Sequence, residues 1–206
     1  MILVDHPLVR VKLTHLRNAQ TSSAEFRHRL TELATLMAFE VTRNLGTLPH
    51  PVQTPLAPFE GAVLDRPVVL APILRAGLGM VEGMLQVVSD ASVAHIGLAR
   101  CEETHLPRSY YFKAPTNLAQ ADVIVTDPML ATGGSAVAAI DQLKAGGAQT
   151  IRYMCIVCCP QGIERLRTAH PDVTIFTAAI DPELDHRAYI VPGLGDAGDR
   201  YFGTVG

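Results

Sequence analysis

Val123-Ile124-Val125-Thr126-Asp127-Pro128-Met129-Leu130-Ala131-Thr132-Gly133-Gly134-Ser135 is the stretch from which the rest of the chain can be read. Its β-branched run makes a buried strand, Asp127 stands where that strand ends, and Thr132-Gly133-Gly134-Ser135 leads into the Ala-rich, helix-favouring segment Ala136 to Ala145. In outline this is a phosphate pocket. Two glycines let backbone N–H groups approach an anion closely, Thr132 and Ser135 can donate hydroxyls, and the helix behind them brings its positive dipole end to the same spot. A carboxylate beside a phosphate repels it, so Asp127 needs another partner, either ribose hydroxyls or a metal-bound water. Phosphate on one side and hydroxyls on the other describe a phosphorylated sugar.

Strand, Gly-Gly turn and helix also occur in α/β proteins for tight packing alone. The Walker pattern ends in Gly-Lys-Ser/Thr and the dinucleotide pattern needs three spaced glycines; the loop has neither. What sets it apart is the combination of an Asp at the strand end, Ala-Thr-Gly-Gly-Ser in the loop and a helix directly behind.

With 206 residues the chain is expected to form one domain, 1–206, with a substantial core. The longest uncharged run, Asn44 to Phe59, contains four prolines, and Met1-Ile2-Leu3-Val4 is followed at once by Asp5, which is no signal-peptide pattern. A cytoplasmic protein without membrane partners is the expectation. A net charge of −3 argues against a general nucleic-acid surface, while 14 of the 17 basic residues are Arg, suited to bidentate phosphate contacts. Four cysteines include the C-x-x-C spacing of Cys155 and Cys158, but these lie in an apolar strand-like run rather than opening a helix, and read as small buried hydrophobes. The eight histidines show no metal-ligand spacing, and no residue is assigned to a metal.

Outward from the central stretch, the first twenty residues read as a short arm. Ser22-x-x-Glu25 is a capping box, followed by Phe26, Leu30, Leu33, Met37, Val41 and Leu45 on one helical stripe that Gly46 stops. Pro49, Pro51, Pro55 and Pro58 predict an extended excursion or hairpin, with Val52, Leu56, Val63 and Leu64 as its apolar contacts. Pro67 to Leu74 is a buried strand ending in Arg75-Ala76-Gly77-Leu78-Gly79, a charge followed by Gly-rich backbone, as at Asp127. A helix from Met80 to Val88 and a strand from Val93 to Ala99 follow. The charged run Arg100 to Pro107 reads as an exposed loop, and Tyr110 to Lys113 as the strand that completes a β-flap. Behind the central helix come a strand from Thr150 to Cys159, a helix begun by Pro160 through Ile163 and Leu166, and a strand from Val173 to Ala179. This alternation predicts an α/β fold, a mostly parallel sheet with helices on both faces, whose ligands gather at the strands' carboxyl ends. Arg75, Arg100 and Asp127 stand at such ends. The last segment, Tyr189 to Thr204, holds four glycines and two aspartates, with Tyr189, Ile190, Leu194, Tyr201 and Phe202 as anchors that let it dock rather than fray.

Four of these segments together resemble the uracil phosphoribosyltransferase family: Pro72-Ile73-Leu74-Arg75-Ala76-Gly77-Leu78-Gly79-Met80, Arg100-x-Glu102-Glu103-Thr104, Asp127 to Ser135, and Tyr189-Ile190-x-Pro192-Gly193-Leu194-Gly195-Asp196-Ala197-Gly198-Asp199. The resemblance covers nearly the whole chain. Phosphoribosyltransferases at large carry two adjacent acidic residues before this loop; the lone Asp127 followed by Pro128 is the pattern of the uracil branch. The resemblance implies a type I phosphoribosyltransferase-like fold with a β-flap and a C-terminal base-binding segment. It implies transfer of the phosphoribosyl group of phosphoribosyl pyrophosphate to uracil, giving uridine monophosphate (UMP) and pyrophosphate, with Mg2+ travelling on the pyrophosphate. It further implies that Asp127 holds the ribose hydroxyls and that Pro128, Met129, Leu130, Ala131, Thr132, Gly133, Gly134 and Ser135 form the loop around the 5′-phosphate. Arg75 and Arg100 match positions that contact pyrophosphate, and Asp196 one that contacts the phosphoribosyl substrate. Ile190, Gly195, Asp196 and Ala197 match backbone that reads uracil. A homo-oligomer and, as in parts of the family, a GTP effector are further implications. A regulator using the same pocket as a sensor would carry a basic face and a damaged base-binding segment, whereas this chain is mildly acidic and retains Gly195-Asp196-Ala197. Transfer to a different nucleobase is the other alternative.

Overall fold

The computed structural model describes residues 1–100 and 107–204. In chain order the elements are β1 (Ile2–Leu3), α1 (Pro7–Arg17), α2 (Ser23–Val41), β2 (Thr47–Gln53), β3 (Pro58–Leu64), β4 (Val68–Leu74), α3 (Leu78–Leu85), β5 (Ser92–Val93), β6 (His95–Arg100), β7 (Pro107–Lys113), β8 (Asp122–Thr126), β9 (Met129–Leu130), α4 (Gly134–Ala145), β10 (Thr150–Cys158), α5 (Pro160–Ala169), β11 (Thr174–Ile180), β12 (Glu183–Leu184), β13 (Ile190–Val191) and α6 (Ala197–Phe202). The main sheet runs β1-β11-β10-β8-β4-β6-β7, with β5 beside β4 and β9 beside β10. Every pairing in it is parallel except β6 with β7.

Alternation along the central strands divides the core into two. Val68, Leu70, Ile124, Met154 and Phe176 pack toward α1, α2 and α3, while Val69, Ala71, Val123, Val125, Tyr153 and Ile175 pack toward α4 and α5. This is the period-2 pattern of a sheet covered on both faces, and it explains why these strands read as unbroken apolar runs. At one point the period slips. The N–H groups of Ile156 and Val157 both donate to the Pro128 carbonyl, at 2.9 and 3.0 Å, which is the signature of a bulge. Ile156 and Val157 therefore share one face, and Cys155 and Cys158 both fall on the other. Cys155, Cys158 and Cys159 are buried and free. Their thiols sit against backbone carbonyls, Cys159 Sγ donating to the Ala131 carbonyl at 3.1 Å.

The sequence expectations are corrected at several points. Residues expected to be an arm form β1 at the sheet edge and the helix α1, which Pro7 opens and whose Val9, Leu13 and Leu16 are buried. The hairpin expected from the proline spacing is present as β2 and β3, but its apolar residues are not contacts: Val52, Val63 and Leu64 are exposed, and Leu56 at the tip is 95% exposed. Helix α2 starts at the expected cap, Ser22 Oγ accepting from the Glu25 N–H at 3.3 Å, and its stripe is buried from Phe26 to Val41, where the helix ends, so that Leu45 and the expected stop at Gly46 lie beyond it. Glu25 completes no capping box; its carboxylate accepts from Arg29 instead, at 2.6 Å.

The turn after β4 is pressed against the end of β8. A Cβ on Gly77 would stand 2.3 Å from the Thr126 carbonyl oxygen and 2.7 Å from Ile73 backbone, and the Thr126 hydroxyl donates to the Gly77 carbonyl at 3.2 Å. Only glycine allows these two loops to touch. Gly77→Ala is expected to destabilise the fold by at least about 1–3 kcal/mol, the range for overpacking a filled site. In a thermal melt this would lower Tm by roughly 2–4 °C per kcal/mol for a chain of this size. A Tm within a degree of wild type would show that the loops can separate without loss.

Candidate active site

At the carboxyl end of the parallel strands lies a cleft of about 380 Å³, lined by Met129, Ala131, Thr132, Gly134 and Ser135 on one wall and by Arg187, Ala188, Tyr189, Ile190 and Asp196 on the other, with Arg165 between them. The first wall is the loop that joins β8 to α4. Gly133, at φ 77°, takes the left-handed turn that swings the chain into α4, so that the first turn of this 12-residue helix opens on the cleft. Pro128 and Leu130 point away from it. The Pro128 carbonyl accepts from β10 and the Leu130 carbonyl from the Cys159 N–H just after it, at 3.2 Å, which fastens the loop to the sheet.

The second wall is the C-terminal segment. A half-buried cluster holds it to the body: Arg17 at the end of α1 makes two 2.7 Å bonds to Asp181 and a 2.8 Å bond to the Gly193 carbonyl, and the Gly193 N–H donates to Asp181 at 2.8 Å. Arg200 donates to the carbonyls of Leu194, at 2.7 Å, Asn18, also at 2.7 Å, and Leu16, and its guanidinium lies 4.5 Å from the centre of the Phe26 ring. The segment ends in α6, capped by Asp196 Oδ1 accepting from the Asp199 N–H at 2.9 Å.

Of the residues singled out in the sequence, Met129, Ala131, Thr132, Gly134, Ser135, Ile190 and Asp196 line the cleft, and Asp127 lies behind them, bonded by the Met129 N–H and close enough to Asp196 to be affected by its charge. Gly195 faces a different groove, shared with Arg17 and Arg200, and Ala197 is fully buried under the segment. Arg75 stands at the rim, donating to Asp199 at 3.1 Å with its guanidinium 5.7 Å from the Phe202 ring centre. Arg100 ends β6 opposite Pro107; its side chain and the flap residues Glu102, Glu103 and Thr104 lie outside the described residues.

Sequence reading missed Arg165 and Arg187. Arg165 sits on the second turn of α5, beside the apolar positions Ile163 and Leu166 that mark the helix in the sequence. The tertiary fold lays that turn against the loop, Arg165 Nη1 donating to the Thr132 carbonyl at 3.5 Å. Arg187 lies two residues before Tyr189, just outside the segment that carries the family pattern, and its guanidinium packs over that ring at 5.7 Å.

Asp127 is the electrostatically strained group. Burial pushes its carboxyl up to about 7, opposed by the Met129 N–H, which donates to Oδ1 at 3.4 Å, and by Tyr153, while the nearby Asp196 charge raises it further. The folded value lies above the unfolded one, so protons favour the folded state between them. This contribution is full below about pH 4 and is lost as pH rises through about 7. Asp127→Asn is therefore expected to flatten that slope and to raise the ligand-free protein's Tm at pH 8 relative to wild type. Parallel melts at pH 5 and pH 8 check this; an equal effect at both pH values would remove the carboxyl as the cause.

A family model for uracil phosphoribosyltransferase matches residues 3–204. The chain is 56% identical over 205 residues to a uracil phosphoribosyltransferase of Dictyoglomus thermophilum, covering 99% of each, and 55% identical over 203 residues to one of Brucella ovis, covering 98% of each. Among solved structures it is similar to the AQ2163 protein from Aquifex aeolicus, with a TM-score of 0.93 at 33% identity over 98% of this chain and 97% of that one. Matches of this extent, over a cleft built from two of the segments that carried the sequence resemblance, mean that the chain belongs to the uracil phosphoribosyltransferase family.

Proposed function

We propose that the cleft binds phosphoribosyl pyrophosphate with its 5′-phosphate on the loop Met129–Ser135 and the first turn of α4, its ribose hydroxyls on Asp127, and uracil against the Ile190–Asp196 wall. The observation that carries this reading is a cleft that joins the start of α4 to the Asp196 carboxylate, with Asp127 directly behind its Met129 wall. The enzyme transfers the phosphoribosyl group to uracil, giving UMP and pyrophosphate. Mg2+ arrives as part of the substrate, on the pyrophosphate, where it offsets negative charge.

Displacement at the anomeric carbon passes through an oxocarbenium-like state while charge builds on the departing pyrophosphate, so the chain's task is positioning and electrostatics rather than nucleophilic attack. Arg75 and Arg100 serve the pyrophosphate. Arg165, within reach of the Thr132 carbonyl, adds positive charge beside the 5′-phosphate, and Arg187 adds it on the opposite wall. A carboxylate that is partly protonated near neutrality is ionised by hydroxyls that donate to it, which couples Asp127 to ribose binding. Uracil is distinguished from cytosine by backbone groups that face O4 and N3–H, since cytosine would leave both mismatched and buried. The chain is further read as a single domain that self-associates. Leu48, Val52, Leu56, Phe59 and Leu64 leave the β2–β3 hairpin largely apolar and exposed, which supports burial against a second copy. GTP stimulation remains the family-derived part of the reading.

Pyrophosphate release should require uracil, phosphoribosyl pyrophosphate and Mg2+ together, with cytosine, hypoxanthine and adenine inactive in parallel reactions; release with any of those three and not with uracil would overturn the assignment. Arg165→Ala should raise KM for phosphoribosyl pyrophosphate about 10-fold or more, as loss of a charge-assisted contact, with KM for uracil little changed. Equal KM values in wild type and variant would leave Arg165 outside the phosphate site. Light scattering on a size-exclusion column should give a mass above 22.2 kDa for wild type and a lower mass for the double substitution Leu56→Asp, Phe59→Asp. A wild-type monomer would sink the self-association reading.

A further inference from the structure

Tyr153 is one of the largest fully buried side chains, and its hydroxyl has no hydrogen-bond partner among the described residues. A phenol in a dry core normally finds one, so an orphan needs a reason. The reason is visible in the register. Tyr153 of β10 pairs with Val125 of β8, and both side chains face the α4–α5 side of the sheet. Two residues beyond Val125 on the same face, about 6.6 Å further along, is Asp127, whose own N–H donates to the neighbouring Met154 carbonyl at 3.2 Å. The polar group that faces the Tyr153 hydroxyl is thus the Asp127 carboxyl.

We propose that Tyr153 is a positioning residue for the phosphoribosyl site: its buried hydroxyl, otherwise without a partner among the described residues, closes on the ionised Asp127 carboxylate from beneath and holds it, together with the Met129 N–H, in the orientation that accepts the ribose hydroxyls. Asp127 then has two fixed donors on the protein side and turns its remaining lone pairs to the cleft. The groups that face Asp127 are Tyr153 from β10, Asp196 from the C-terminal wall and the Met129 N–H of its own loop; those that face Tyr153 are Asp127, Cys155 and Cys158. Asp196 opposes the charge on Asp127 and the two donors favour it, so loss of the phenol hydroxyl leaves the carboxyl easier to protonate. The inference rests on the substrate reading above for its consequence in binding, but its electrostatic part concerns the ligand-free protein.

Tyr153→Phe keeps the ring and deletes only the hydroxyl. Carbon-13 NMR of aspartate-labelled, ligand-free protein follows the Asp127 carboxyl, identified by its absence in Asp127→Asn. Its titration midpoint should move up by about half a unit to one unit in Tyr153→Phe, with KM for phosphoribosyl pyrophosphate raised about 3- to 10-fold and Tm not lowered. Tyr153→Leu, which also lacks the hydroxyl, should show the same direction of shift and guards against a ring-specific effect. An unmoved midpoint with unchanged KM, accompanied by a higher Tm from removal of an unpaired buried hydroxyl, would overturn the proposal and make Tyr153 a packing residue only. A midpoint that moves in a protein without uracil-dependent turnover would sustain the Tyr153–Asp127 contact while sinking the substrate assignment; turnover with an unmoved midpoint would do the reverse.

Discussion

Parallel pairing of β4, β8 and β10 places their carboxyl ends along one edge, and each of these three strands is followed by a turn into a helix. Such a sheet cannot use tight hairpins between its neighbours, so each return passes through a covering helix and each strand end is free to carry a loop. The loops after β4 and β8 touch at Gly77 and Thr126, and the loop after β8 is fastened to β10 through the Pro128 and Leu130 carbonyls. Three strands are thereby locked at the height where the cleft opens. The bulge at Ile156 and Val157 belongs to the same device, because both residues donate to the one carbonyl that turns the chain after Asp127.

Among the described residues no ion pair joins Arg165 or Arg187 to Asp127 or Asp196; Arg187 meets Asp185 instead, at 3.7 Å. The Asp196 charge raises the cost of ionising Asp127, and Arg165 and Arg187 line the same cavity as Asp196. A ligand carrying phosphates and hydroxyls answers both: phosphates suit the arginines and the start of α4, and hydroxyls donate to the carboxylates. Preorganised groups of this kind need no rearrangement as charge develops on a leaving group, which is where they contribute most.

The second wall depends on residues far from it in sequence. Arg17 and Arg200 each bridge α1 and the C-terminal segment through backbone carbonyls, and Asp181 at the end of β11 completes the link. Guanidinium groups suit this role because their planar fork satisfies several carbonyls and a carboxylate at once. The N-terminal helix is accordingly a buttress for the wall of the active site, although none of its residues lines the cleft.

How much could be read without coordinates follows from the range of each interaction. The strand from Val123, the Asp127 turn, the α4 start, the Ser22 cap and the α/β alternation are written in neighbouring residues, because period, capping and turn chemistry act over a few positions. The family was legible for the same reason, being carried by four short continuous segments. Helix α1 was not read, since its apolar side, Val9, Leu13 and Leu16, is short and mixed with exposed Leu8 and Val11; its place is secured by α2 and by Arg17 meeting Asp181, 164 residues away. Nor could the chain's linear order tell that Leu56 would be left outside, that Arg165 would lie over the loop, or that Tyr153 would end beneath Asp127. Each of those depends on which strands pair and in what register, and register is decided only when distant segments close on one core.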